Sequence, residues 1–372
     1  MSCDYVELAA PGVQGLRPYQ PGKPISELER EYGVSDIIKL ASNENPLGPS
    51  PKALEAMAEV VGDLARYPDG NGFELKAALA ARHSIDSSWI TLGNGSNDVL
   101  VLLAESFLTP EYEAIYSKYA FAVYPLAVQA VGATARVAET NPMEHEMPLG
   151  HDLEAMTALI NDKTRLIFIA NPNNPTGTWL ARDELKDFIS EVPEQIVVIV
   201  DEAYLEYVEE SEYPDCSTWI AEFPNLVVTR TFSKIYGLAG IRIGYALSHP
   251  DIANVLNRIR QPFNTNSLAQ AAALASLGDS EHIERSRQIN KDGLEHLTAA
   301  GESLGLFVLP SVGNFLLVDM GQPAGPLFEA LLREAVIVRP VANYGLPNHL
   351  RITVGTPSEN DRLVSALNKV LG

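Results

Sequence analysis

Residues 229–245 read Thr-Arg-Thr-Phe-Ser-Lys-Ile-Tyr-Gly-Leu-Ala-Gly-Ile-Arg-Ile-Gly-Tyr and follow a short apolar run, Leu226-Val227-Val228. Two hydroxyls, Thr231 and Ser233, lead to Lys234, and Arg242 stands further on among Gly237, Gly240 and Gly244. A lone Ser-Lys pair is most often a solvated loop. Here the neighbours are mostly apolar, and desolvation lowers an amine's pKa from its reference near ~10.4, leaving it nucleophilic. The hydroxyls and the arginine supply neutral donors and a bidentate cationic fork, which suit a phosphate. The glycines let backbone approach a bound group closely. An amine beside a phosphate cradle is what pyridoxal phosphate chemistry requires.

Two more apolar runs upstream end in polar motifs. Leu166-Ile167-Phe168-Ile169-Ala170 leads to Asn171-Pro172-Asn173-Asn174-Pro175-Thr176-Gly177, and Ile196-Val197-Val198-Ile199-Val200 leads to Asp201-Glu202-Ala203-Tyr204. Runs without polar alternation suit strands buried on both faces, and intervening helical patterns such as 182–189 suit right-handed crossovers. An α/β fold with a mainly parallel sheet follows, and ligands in such sheets gather at the carboxyl ends of strands. Asn-Pro turns or a helix-capping carboxylate explain one such motif, but not three at one edge. Further upstream, a strand over 89–92 is followed by Gly93-Asn94-Gly95-Ser96-Asn97-Asp98 and a helix from about Val99. A glycine-rich turn at a helix N-terminus is an anion site. Its glycine spacing is not that of a dinucleotide fingerprint.

Taken together, Thr-Phe-Ser-Lys and Gly-Leu-Ala-Gly-Ile-Arg-Ile-Gly-Tyr resemble the cofactor-lysine segment of the fold-type I pyridoxal phosphate aminotransferases, and within them the histidinol-phosphate aminotransferases. The resemblance runs from Leu16-Arg17-Pro18-Tyr19 to Leu350-Arg351-Ile352-Thr353-Val354-Gly355. It implies a large domain over residues 42–277, with helices on both faces of the sheet, and a small α+β domain built from residues 1–41 and 278–372. It implies pyridoxal 5'-phosphate as cofactor and amino transfer from L-histidinol phosphate to 2-oxoglutarate, giving imidazole acetol phosphate and glutamate in histidine biosynthesis. Lys234 would hold the cofactor and shuttle a proton, Asp201 would keep the pyridine nitrogen protonated, and Tyr204 and Asn174 would donate to the ring oxygen. Thr231, Ser233, Arg242 and the Gly95-Ser96-Asn97 amides would hold the phosphate, with Tyr67 arriving from the second subunit of a homodimer. Phe121 would stack on the ring. Arg351, helped by Arg339, Tyr19 and Asn43, would bind the substrate. The chain departs from the family at Asn97-Asp98, where Asp-Glu is usual, and at 119–125, where Pro-Ser/Thr-Tyr is usual. Rival readings are an aminotransferase of aromatic amino acids, a decarboxylase of a phosphorylated amino acid, and a cofactor-sensing transcription regulator. The last needs a DNA-binding domain, which the proline-rich residues before the large domain do not supply.

The remaining features fit a soluble enzyme. At 372 residues the chain can form one sizeable core and a smaller unit. A net charge of −21 disfavours nucleic acid as partner. Cys3 and Cys216 make neither a disulfide framework nor a metal-ligand spacing. The first residues lack a signal-peptide pattern, and the apolar stretch over 99–108 is interrupted by Glu105 and too short to span a bilayer, so a cytoplasmic protein is expected. Residues 1–40 read as an extended arm ending in a helix over 25–32, with Tyr19 and Lys23 as unusual decoration for a loose tail. Helices are expected over 51–61 and 281–304, the latter linking to the small domain. Strands are expected over 308–320, 335–338 and 350–354.

Overall fold

The computed structural model describes residues 3–19 and 21–372. Its thirteen strands are β1 (Ile38–Lys39), β2 (Ile90–Gly93), β3 (Glu113–Ser117), β4 (Thr134–Ala138), β5 (Thr164–Ala170), β6 (Val197–Asp201), β7 (Leu226–Thr231), β8 (Gly244–Ser248), β9 (Phe307–Val308), β10 (Phe315–Asp319), β11 (Val336–Ile337), β12 (Arg339–Pro340) and β13 (His349–Thr353). Seven of them form one sheet in the order β2-β8-β7-β6-β5-β3-β4. Only β8 runs against its neighbours.

The apolar runs explain this sheet. Along β5 and β6, Ile167, Ile169, Val198 and Val200 join one core cluster, while Leu166, Phe168, Val197 and Ile199 join another. Successive side chains point to opposite faces, so a continuous apolar run is a strand covered on both sides. The cover comes from helices such as Ser96–Phe107, Val123–Ala130 and Ser267–Leu277. The sheet is the middle layer of three.

A second body contains the antiparallel sheet β12-β13-β10-β9 and the parallel pair β1-β11. Ile38 and Leu40 share its core cluster with Leu316, Val336 and Leu363, so both ends of the chain meet there. The helix Ser280–Ser303 spans the two bodies, with Ile283 in the core of the seven-stranded sheet and Leu297 in the smaller core.

The expected strand over 308–320 is two antiparallel strands, β9 and β10, with Val318 opposite Val308. Between them Gly313 makes a turn whose backbone packs against Phe315, where an added Cβ would fall 2.8 Å from the ring. The arm is less extended than expected, because Tyr5–Leu8 and Pro11–Gln14 each form a single helical turn. The helix Ile25–Tyr32 follows, closed by Gly33 at φ 66°. Lys23 is bound to Glu31 and lies 3.6 Å from Glu27 on this helix, so it braces the arm. No helix among the described residues is long and apolar enough to cross a membrane.

Candidate active site

The carboxyl ends of β5, β6 and β7 open onto a cavity of about 240 Å³. Lys234 reaches it because its neighbours are anchors: Phe232 and Ile235 are fully buried, and the turn closes with the Gly237 N–H donating to the Lys234 carbonyl. Gly237 has φ 69°, and a Cβ there would lie 2.1 Å from the Gly48 carbonyl oxygen, so no larger residue fits. Lys234 Nζ donates to the Ser42 carbonyl at 3.2 Å. Burial, with Arg351 and Arg242 nearby, pushes its pKa down to about 7 against the opposing pull of Glu44 and Asp201. The amine is therefore partly neutral at physiological pH.

Asp201 ends β6, directly opposite Thr229 on β7. Thr229 Oγ1 donates to Oδ1 at 2.8 Å and Tyr124 Oη donates to Oδ2 at 3.1 Å. Burial raises the carboxyl to about 6 in spite of these two donors. Asp201 makes no ion pair among the described residues, and Lys234 is the charged neighbour that draws its pKa down. A buried acid facing a cavity without a cation of its own suits a protonated ring nitrogen.

The anion cradle sits at the N-terminus of the helix Ser96–Phe107. Arg242 packs against Gly95 so closely that a Cβ there would fall 2.1 Å from its Nη2. Its Nη1 donates to Ser233 Oγ at 3.1 Å, and the Ser233 N–H donates to Thr231 Oγ1 at 3.1 Å. Ser96, Asn97, Thr231, Ser233 and Arg242 all line the cavity. Asp98 is occupied elsewhere, accepting from the Asn94 N–H and from Asn264 Nδ2, both at 2.8 Å. Its family departure therefore leaves the cradle intact.

The cavity is also lined by Arg351, buried on β13, and by Arg339, its register partner on β12. Arg351 Nη1 donates to Asn174 Oδ1 and Nη2 to the Ala41 carbonyl, each at 2.6 Å. Its Nε is buried without a partner among the described residues, which leaves a charged donor for an incoming anion. With its oxygen committed to Arg351, Asn174 turns its NH₂ edge elsewhere as a donor. Tyr204 is buried, which pushes its hydroxyl up to about 12, and it accepts from Asn43 Nδ2 at 2.9 Å. Phe121 and Tyr19 also line the cavity, Tyr19 with its ring 5.8 Å from the Arg339 guanidinium.

Fourteen of the sixteen residues singled out from sequence line this cavity, and Gly95 touches its arginine. Tyr67 lies elsewhere, 81% exposed and stacked on Phe263 at 4.7 Å. Two functional groups escaped the sequence reading, Thr229 and Tyr124. Thr229 lies two residues before Thr231, and a pairing of strand ends would have placed it opposite Asp201. Tyr124 lies one helical turn after Phe121, with its ring stacked on Phe168 at 4.8 Å.

A fold of this topology, with a lysine, a buried acid and a hydroxyl-and-arginine cluster at a helix N-terminus on one sheet edge, defines a class of enzyme, and the chain belongs to it. The profile of the family Aminotransferase class I and II matches residues 35–367, and this protein is a member of that family. Over its full length the chain is 57% identical to histidinol-phosphate aminotransferase 2 of Pseudomonas fluorescens strain Pf0-1, covering 99% of that protein. It is 56% identical to histidinol-phosphate aminotransferase 1 of Nitrosococcus oceani, over 99% of this chain and 98% of the relative. Among solved structures it is similar to histidinol-phosphate aminotransferase from Sinorhizobium meliloti in complex with pyridoxal-5'-phosphate. That similarity has a TM-score of 0.88 at 29% identity, covering 97% of this chain and 96% of the other.

Proposed function

We propose that the chain is a pyridoxal phosphate-dependent histidinol-phosphate aminotransferase. It moves the amino group between L-histidinol phosphate and 2-oxoglutarate, and so serves histidine biosynthesis. The observation that carries this reading is one cavity that holds a desolvated lysine and two groups of cationic donors, Arg242 with the helix N-terminus and Arg351 with Arg339. One group suits a cofactor phosphate and the other a substrate anion. The residues fit the cofactor: an acid for a ring nitrogen, a hydroxyl and an amide for a ring oxygen, and a Cβ-free cradle for the phosphate. The whole-length relatives support the same reading.

When bound, pyridoxal phosphate supplies an electron sink for the pair left behind as the substrate's amine-bearing carbon loses its proton. Lys234 would anchor the cofactor and, with Nζ free, would take that proton from the substrate carbon and pass it to the cofactor's carbon, as net amino transfer requires. A pKa near neutrality suits both transfers. Asp201 keeps a proton on the ring nitrogen, and Thr229 and Tyr124 hold its carboxylate in place. Tyr204 and Asn174 donate toward the ring oxygen. Arg351 orients the phosphate of one substrate and the carboxylate of the other, with Arg339, Tyr19 and Asn43 around it.

The same reading includes a cytoplasmic homodimer in which Tyr67 completes the partner's phosphate site. Its support is a set of exposed apolar side chains outside the chain's own cavity, Leu64, Phe73 and the stacked pair Tyr67 and Phe263. The domain division at residues 41/42 and 277/278 belongs to it too, motivated by the two sets of core clusters. Steady-state rates with histidinol phosphate, phenylalanine, phosphoserine and glutamate as donors test the assignment. A preference for phenylalanine would make the chain an aromatic aminotransferase, and release of carbon dioxide from a phosphorylated amino acid a decarboxylase.

A further inference from the structure

Thr353 lies at the end of β13, 3% exposed, and does not line the cavity. Its hydroxyl accepts from the Asn43 backbone N–H at 2.9 Å and donates to Asn43 Oδ1 at 3.1 Å. These two bonds fix the sense of the Asn43 amide. Because the hydroxyl already accepts from a backbone N–H, its own proton is free for Oδ1, and Oδ1 is then an acceptor. The other edge of the amide, Nδ2, faces Tyr204 and donates to its hydroxyl oxygen at 2.9 Å. Tyr204 accepts there, so its own proton remains available for the cavity. Asn43 cannot drift from this arrangement, since its carbonyl accepts from Asn314 Nδ2 at 3.0 Å and its backbone sits at φ 55°, a conformation that asparagine tolerates. Asn43 and Tyr204 are, like Thr353, almost fully buried.

We propose that Thr353 is a positioning residue for the reaction: through Asn43 it sets which way the Tyr204 hydroxyl donates, and so keeps that proton pointed at the cofactor's ring oxygen. Arg351 and Thr353 are two apart on one strand and project to the same face. The strand that holds the substrate's anion thus also orients the cofactor's phenol donor. Without the Thr353 hydroxyl, the Asn43 amide is free to turn its oxygen toward Tyr204. Tyr204 would then spend its proton on Asn43, and the ring oxygen would lose a donor.

The proposal rests on the reading that Tyr204 faces the ring oxygen, and the experiment separates the two. Holoenzymes carrying Thr353→Val, Thr353→Ser, Tyr204→Phe and the double change Thr353→Val/Tyr204→Phe are titrated with pH, following the visible absorbance of the bound cofactor. A donor on the ring oxygen favours its anionic form, so losing the donor raises the pH of the transition. Thr353→Val should raise it by about one unit, the scale of one hydrogen bond to a charged group. Thr353→Ser should restore it, and the double variant should shift no further than Tyr204→Phe alone. Should the valine variant not fold, Thr353→Ala, which leaves room around the amide, replaces it. If Tyr204→Phe moves the transition and the Thr353 variants do not, or if the shifts add in the double variant, Thr353 does not act through Tyr204 and the proposal fails alone. If Tyr204→Phe leaves the transition in place, the role given to Tyr204 fails and the proposal with it.

Discussion

Arg339 on β12 lies directly opposite Arg351 on β13 in antiparallel register, and both side chains line one cavity. Two like charges facing each other across a sheet repel unless an anion lies between them. A dianionic phosphate gains more from such a pair than a carboxylate does, through paired charge-assisted hydrogen bonds. Arg339→Gln should therefore weaken use of histidinol phosphate more than use of phenylalanine, by ~1–3 kcal/mol in kcat/KM. Arg351→Gln should damage both half-reactions and also free the Asn174 amide it now holds. Equal losses on all donors for Arg339→Gln would remove the phosphate role.

Asp201→Asn should still bind the cofactor but lose ~10²-fold or more in kcat, since a neutral amide cannot hold a proton on the ring nitrogen. Tyr124→Phe should cost less, because Thr229 still donates to the carboxylate. Near-normal turnover of Asp201→Asn would make that residue a cap for the end of β6.

The half-buried lysine should show itself in the stability of the cofactor-free protein. Its pKa is about 7 in the folded state against an ordinary 10.5. Between those values the unfolded chain binds more protons, so stability rises with pH across the window. Below pH ~7 both states are protonated and the whole penalty, about 3–5 kcal/mol, is present. Lys234→Met should stabilise the cofactor-free protein near neutrality, flatten its pH dependence and abolish turnover. Asp201 acts in the opposite sense: raised to about 6 from 3.8, it costs stability as pH rises through that interval. Unfolding midpoints from pH 5 to 10 check both signs, and a flat wild-type profile above pH 7 would mean that Lys234 is solvated.

Subunit mixing tests the shared site. Tyr67→Phe and Lys234→Ala subunits are each expected to be impaired, while a heterodimer carries one site with both residues intact. Recovery of activity after verified exchange is the expected result. No recovery would leave Tyr67 as half of an exposed stacked pair with Phe263.

The polar ends of β5, β6 and β7 were legible in the sequence because strands buried on both faces leave an unbroken apolar signal, and the residues that follow must lie at one edge. What depended on register was not legible. Thr229 sits inside the quoted segment, yet its bond to Asp201 follows only from the pairing of β6 with β7. Thr353 was quoted as part of a motif, but its link to Asn43 joins residues far apart in the chain. The reading over 308–320 ran two strands together across residues 309–314, where Pro310, Ser311, Gly313 and Asn314 break the apolar run and connect β9 to β10. Arg339 and Arg351 were associated through the resemblance, and their facing positions follow from the pairing of β12 with β13.

The parallel pairing of Ile38 with Val336 bears on how the protein is made. During synthesis the strands of the seven-stranded sheet, all between residues 90 and 248, emerge before β11 exists. Lysine, acid and phosphate cradle can thus assemble on the ribosome while β1 and the neighbouring Asn43 still wait for their partners. Arg351, which follows β11 in the chain, joins the cavity last, together with the Thr353 hydroxyl that holds Asn43.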